Sequence, residues 1–177
     1  MIDKKEIWIK EGYEIFAVSG LNGLKVEQLA KKVGKSKSSF YHYFAELELF
    51  VEALLSLYIQ QAYVLNMKLK NANNIDSDLI NILLEHKIDL LFSKQLRINS
   101  ELQIFDEAST KAKEIARNSF ILVWKKDLNL KLNQKQLEAI FELALENFYM
   151  QINPENFNPQ WLSSYFDYLK KIVENFE

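Results

Sequence analysis

Five lysines crowd the segment between residues 25 and 44. They are Lys25, Lys31, Lys32, Lys35 and Lys37, set against Glu27 alone, which leaves a local charge of +4 in a chain whose formal net charge is -2. Lysines at that density bind phosphate, and a local patch acts on its own because salt screens charges beyond about 10 Å. Interleaved with them are Ser36, Ser38, Ser39, Tyr41 and His42, all able to hydrogen-bond to base edges or phosphate oxygens. Spacing sorts these residues onto faces of a helix. Phe40 and Phe44 are four apart and share one face, while Ser38, Tyr41 and His42 share another, with Lys37 beside Tyr41. Free amides at Ser36 and Lys37, at the start of such a helix, would add donors for a phosphate oxygen. Lys37, Ser38, Tyr41 and His42, with the helix start at Ser36, are therefore candidate nucleic-acid contacts, beside lysines of the patch such as Lys25 and Lys35.

Other chemistries find little support. The chain has no cysteine, which removes a disulfide framework, thiolate metal ligation and a thiol nucleophile, and is compatible with a reducing cytoplasm. Its two histidines, His42 and His86, are far apart in sequence, and neither an HExxH pattern nor a glycine-rich phosphate loop occurs. His86, beside Glu85, reads as a surface or pocket-lining residue. Asp106 and Glu107 are adjacent and would point in different directions from a helix. No catalytic residue, metal site or cofactor is expected. No apolar run approaches the ~20 residues that span a bilayer. The first ten residues carry Asp3, Lys4, Lys5 and Glu6 with no apolar core, so neither a membrane anchor nor a signal peptide is expected, and the location expected is cytoplasmic.

The elements that must position the basic segment are helices. Of 177 residues, 49% are hydrophobic, only four are glycine and two proline, which favours long helices with few breaks. Apolar residues recur at helical spacing almost throughout, so the fold class is all-α. Asp3 with Glu6 can open a first helix that carries Ile9, Tyr13 and Phe16 and stops near Gly20. Val26 to Val33 forms a second helix, buried through Val26, Leu29, Ala30 and Val33, and Gly34 ends it. Ser36 caps a third, Lys37 to Phe44. A fourth runs from about Glu46 to Lys70. After a polar break at residues 71–74, Asp76 or Ser77 caps a helix to about Leu96. A shorter one covers Arg97 to Phe105, and another runs from Lys111 to about Asp127. Asn133 with Gln136 opens a strong helix as a capping box, and Asn158 before Pro159 opens the last. The division expected is a head over residues 1–45 and a helical remainder over residues 46–177.

Residues 26–44 thus read helix, glycine turn, helix, and the stretch from Phe16 to Phe44 resembles the DNA-binding domain of TetR-type repressors. Phe16, Gly20, Gly23, Leu29-Ala30, Gly34, Ser36-Lys37 and the string Phe40-Tyr41-His42-Tyr43-Phe44 carry the likeness, across the first quarter to third of the chain. The resemblance implies a helix-turn-helix on a long connecting helix, followed by a helical domain for effector binding and dimerisation. It implies a homodimer that sets one recognition helix in each of two successive major grooves of a palindromic operator on double-stranded DNA. By position it puts DNA contacts on Lys25, Ser36, Lys37, Ser38, Ser39, Tyr41 and His42. Three departures bear on affinity. Lys25 stands where the family has a capping threonine. Leu47, between Glu46 and Glu48, stands where it often has lysine. The basic segment also lacks arginine, so the bidentate contact to guanine is missing. Weak to moderate, strongly salt-dependent binding is expected.

The second half is read collectively. Phe92, Phe105, Phe120, Trp124, Phe141 and Tyr149 are the expected lining of a cavity for a small apolar effector, a reading that leans on the resemblance and competes with ordinary core packing. The last two helices carry wide apolar stripes, and Leu145, Phe148, Tyr165, Leu169, Ile172 and Phe176 are the expected dimer surface, pairing with their two-fold equivalents as a four-helix bundle. The alternative function is a helical dimer that has kept the fold but works through protein partners, suggested by Leu47 and its flanking glutamates.

Overall fold

Few helix breakers give few breaks. The computed structural model describes residues 4–128 and 132–174, and among them the regular structure is helical throughout, with no strand. Nine α-helices follow in order among the described residues: α1 (Lys4–Ser19), α2 (Val26–Val33), α3 (Lys37–Phe44), α4 (Leu47–Lys70), α5 (Ile80–Glu85), α6 (Lys87–Ile98), α7 (Gln103–Leu128), α8 (Gln134–Gln151) and α9 (Pro159–Glu174). Asp3 and Phe176 lie outside the described residues, and so does the cap expected of Asp3.

Local chemistry explains most of the boundaries. α2 ends where Gly34 takes φ +68°, and the Lys35 amide donates back to Ala30 O at 3.0 Å, the six-residue closure of a Schellman turn. Ser36 Oγ accepts from the Ser39 amide and starts α3, a cap worth about 1 kcal/mol. Asn133 and Gln136 form the reciprocal capping box, and Asn158 Oδ1 accepts from the Trp161 amide ahead of α9.

Two expected elements differ. The helix expected to run to Leu96 is capped by Asn74, whose side chain accepts from the Ser77 and Asp78 amides, and not by Asp76 or Ser77. It opens with one wide turn, Ile75–Leu79, and breaks at His86, where φ is -98° and ψ 20°. The short helix expected over residues 97–105 is instead a turn through Asn99, Ser100, Glu101 and Leu102, and α7 begins at Gln103, eight residues before the expected Lys111. Side-chain amides and hydroxyls of this kind bond to nearby backbone in several ways, so apolar spacing alone does not place such ends.

The chain packs as two units, Met1–Gln61 with Ile88–Ala112, and Ala62–Lys87 with Lys113–Glu177. This packing division does not follow the 45/46 boundary, because α4, α6 and α7 are shared out between sequence-distant neighbours. In the first unit Trp8, Phe16, Phe40, Phe50 and Phe92 are almost fully buried. Phe92 of α6 stacks with two tyrosines, Tyr13 of α1 at 4.3 Å and 14°, and Tyr58 of α4 at 5.1 Å and 21°. Both phenols are held from α6: Tyr13 donates to Asp89 Oδ1 at 2.8 Å and Tyr58 to Ser93 Oγ at 2.9 Å. In the second unit α7 lies along the end of α4, with Ser119 Oγ donating to Asn66 Oδ1 at 2.6 Å. Tyr165 of α9 donates to the Ala144 carbonyl of α8 at 2.6 Å, and burial pushes its phenol pKa up.

Candidate nucleic-acid interface

The third helix is fixed from behind. Phe40 has no exposure and meets Trp8 of α1 at 5.5 Å and Phe50 of α4 at 5.2 Å between ring centroids. Phe44 sits 4.8 Å from the same Phe50 ring, and the Lys5 ammonium lies 5.3 Å above Phe44. Edge-on aromatic pairs at these distances add about 0.5–1.5 kcal/mol each beyond their buried area. α1 approaches α4 closely enough that only glycine fits at residue 12: a Cβ there would lie 2.2 Å from Phe50 Cζ. At the far end of α3, Ala45 is the one non-glycine residue with positive φ among the described residues, at φ 57° and ψ -49°. The Glu46 amide donates across it to the Phe44 carbonyl, closing a strained γ-turn that redirects the chain into α4.

With both phenylalanines turned inward, the other face of α3 is open. Lys35, Ser36, Lys37, Ser38, Tyr41 and His42 are all exposed, and Ser39 is half-buried. Tyr41 is 50% exposed, and its ring stands edge-on to Phe40 at 5.4 Å, so the phenol is braced while its surface stays available. His42 leans on Tyr43 at 5.2 Å. Lys25 is exposed at the start of α2 and makes no side-chain cap there. The expected contact residues on α3 therefore share one short helix and its cap, and none of them is fully buried.

Charge on this face is less uniform than the lysine count implies. Lys32 is held by Glu11 at 3.0 Å and Glu14 at 3.6 Å on α1, and the Glu11 hydrogen bond raises its pKa further. Lys37 is paired with Glu27 of α2. The Lys37 hydrogen bond holds the Glu27 carboxyl below its usual range. No ion pair engages Lys25, Lys31 or Lys35 among the described residues. Spacing in the sequence does not link Glu27 to Lys37, because the two are ten positions apart on different helices and meet only across the Gly34 turn.

The six aromatic residues expected to line a cavity are not one group. Phe92 and Phe105 belong to the first unit, both nearly fully buried against Phe16. Phe120 and Trp124 of α7 pack on Phe141 of α8 in the second unit, at 6.0 and 5.7 Å. Tyr149 is half-buried beside Phe148. Within the second cluster Trp124 Nε1 is buried without a hydrogen-bond acceptor among the described residues. His86 is buried at the joint between α5 and α6, and no group of three metal-ligating side chains occurs among the described residues.

The residues expected at a dimer surface also divide. Phe148 and Tyr165 are buried within the subunit, in a cluster with Phe157 and Trp161. Leu145, Leu169 and Ile172 are half-buried, and Phe176 is outside the described residues. The apolar side chains left outside are others: Leu143 at 73% exposure and Met150 at 79% on α8, and Tyr168 at 62% on α9. Leu143 and Met150 are seven apart and share one face. Apolar residues surround most of α8 in sequence, so spacing alone could not tell which stripe faces inward.

Comparison with known proteins agrees with this geometry. The family model for bacterial regulatory proteins, tetR family, matches residues 9–54. YuxN of Bacillus subtilis (strain 168), named as an HTH-type transcriptional regulator, is 31% identical in an alignment of 127 residues that covers 67% of this chain. The match spans 43% of YuxN, so this chain covers less than half the length of that relative. Among solved structures, a transcriptional regulator from Rhodococcus sp. Rha1 superposes with a TM-score of 0.69 at 14% identity, over 96% of this chain and 95% of that one. A second Rhodococcus sp. protein, described as a TetR-family transcriptional regulator, gives 0.61 at 15% identity over 98% of both chains. At such identities the structural likeness concerns the fold. No helix among the described residues is long and apolar enough to cross a membrane. Residues 9–54 thus match the family model of bacterial regulatory proteins, tetR family, and the all-helical fold over the rest of the chain is similar to that of these solved regulators.

Proposed function

We propose that this protein is a DNA-binding repressor that works in the cytoplasm as a homodimer and whose operator affinity responds to a small apolar ligand. The observation that carries the reading is the two-faced third helix: Phe40 and Phe44 locked into the core, and Lys37, Ser38, Tyr41 and His42 exposed on the other side. Residues 1–45 serve as the DNA-binding head and residues 46–177 as the regulatory part, a division of labour rather than of packing. Lys25, Lys35, Ser36 and Lys37 contact phosphates. Ser38, Ser39, Tyr41 and His42 meet the groove. Without arginine on this face, sequence is read through short polar groups and DNA shape.

Dimerisation uses the outer stripes of α8 and α9, centred on Leu143, Met150 and Tyr168, since exposed apolar side chains grouped this way favour burial against a partner. The ligand is taken up by the α7–α8 cluster around Phe120, Trp124 and Phe141. The unsatisfied Trp124 donor supports this, because a buried N–H without an acceptor is costly and a ligand oxygen would relieve it. To regulate, the ligand must bind one arrangement of the two heads better than the other.

A second reading has an observation of its own. Exposed Glu46 and Glu48 flank Leu47 at the start of α4, and Glu27 neutralises Lys37, so the head carries carboxylates where phosphates would approach. On that reading the dimer acts through protein partners. Selection of bound duplexes from a random-sequence pool separates the two. The repressor reading expects an inverted repeat with half-sites about one helical turn apart. A pool that stays random after repeated rounds favours the second reading.

A further inference from the structure

We propose that Glu27 competes with DNA for Lys37, so that the ion pair between α2 and α3 must open before the lysine reaches a phosphate and operator affinity is held below what the basic segment would otherwise provide. This rests on the DNA-binding reading above. Glu27 lies in the first turn of α2, and Lys37 is the first residue of α3. The Gly34 turn brings the two helix starts together, and the Lys37 ammonium donates to Glu27 Oε1. Lys25 is near enough to act on the Glu27 carboxylate, and the Ser36 cap directly precedes Lys37.

The pair has little to do for the fold. Both side chains are largely exposed, at 54% for Lys37 and 64% for Glu27, and such pairs contribute little in water. α2 is already held by the fully buried Leu29 and by Lys32 gripping Glu11 and Glu14. A carboxylate is favourable at a helix start, and it relieves the unfavourable lysine at the start of α3. That benefit disappears when a phosphate takes the same place, because the phosphate supplies the negative charge itself. Glu27 then has no partner and faces an anion. The same side chain that suits the free protein therefore opposes the bound one.

The test compares Glu27→Gln, Lys37→Gln and the double variant with the unaltered protein. A fluorescein-labelled random-sequence duplex is the probe, read by anisotropy across a salt series. A random duplex suffices because phosphate contacts ignore sequence. Glu27→Gln should bind roughly three- to tenfold tighter near 0.1 M salt, with the logarithmic salt slope steeper by up to about one per head. Lys37→Gln should cost little in the unaltered background and clearly more alongside Glu27→Gln. Glu27→Asp, which keeps the charge but shortens its reach, should fall between and guards against a fold defect in the amide variant. Thermal unfolding of all variants should change by no more than a few degrees.

Unchanged affinity with Glu27→Gln would overturn the proposal, leaving the pair as a solvated contact. Weaker binding would overturn it in the other direction, making Glu27 a residue that orients Lys37 for contact. Failure of the repressor reading looks different: no sequence is preferred over random, yet Glu27→Gln still tightens binding to the random duplex. Absence of duplex binding by every variant in low salt would sink both.

Discussion

Replacing Phe40 with alanine removes the ring on which the recognition helix is seated. The side chain has no exposure and touches the rings of Trp8, Phe44 and Phe50, all with centroids between 5.2 and 5.5 Å away. Truncating a fully buried phenylalanine costs about 3–5 kcal/mol, through lost transfer energy and the cavity left behind. Domains of this size are stable by only about 5–15 kcal/mol, so the change would consume a large fraction. Phe40→Leu, which refills part of the space, should cost about 1–2 kcal/mol. Urea unfolding followed by far-ultraviolet circular dichroism reads both as a lower midpoint at unchanged slope. Tyr41→Ala, one position along but half exposed, should fall within about 0.5 to 1 kcal/mol of the unaltered protein. A loss below about 1 kcal/mol for Phe40→Ala would refute the reasoning, since α3 could not then be anchored through this ring.

Three further substitutions probe the frame. Gly12→Ala puts a methyl group 2.2 Å from a ring carbon of the fully buried Phe50, and should lower stability by about 1–3 kcal/mol, less the gain in helix propensity. A higher thermal midpoint would mean that α1 and α4 are not in close contact there. Ala45→Gly relieves a positive φ of 57° and should raise stability by about 0.5–1 kcal/mol once the freer unfolded chain is counted. Calorimetry showing no rise would deny the strain. Leu143→Glu with Met150→Glu places two charges in the outer stripe of α8, and should turn the proposed dimer into a monomer by sedimentation, whereas an unchanged dimer mass would move the interface elsewhere.

How much was readable in advance depended on whether the deciding interaction was local. The helix-turn-helix was legible to the residue: Val26–Val33 and Lys37–Phe44 form as expected, because Gly34 and Ser36 act on their own neighbours. The capping box at Asn133 was legible for the same reason. The start of the segment after residue 74 was not, since Asn74, Asp76 and Ser77 are all competent caps and only Asn74 reaches two amides. Phe92 and Phe105 were expected to line a cavity, with core packing as the competing reading, and nothing in their spacing shows that they pack on Phe16 of α1. Such pairings link positions scores of residues apart, and helical periodicity carries no record of them. α8 shows the same limit: with leucines and aromatics on several sides, Phe148 faces in and Met150 out.

Salt-titrated binding to duplexes from the DNA flanking the protein's own gene, set beside random duplex, bears on everything proposed for α3. The unaltered protein should prefer one such fragment by on the order of a hundredfold or more, with affinity falling steeply as salt rises. Tyr41→Ala with His42→Ala should bring it down to the random level without loss of fold. Equal binding to all duplexes in low salt, or full preference retained by the double variant, would contradict the assignment of α3 as the element that reads DNA.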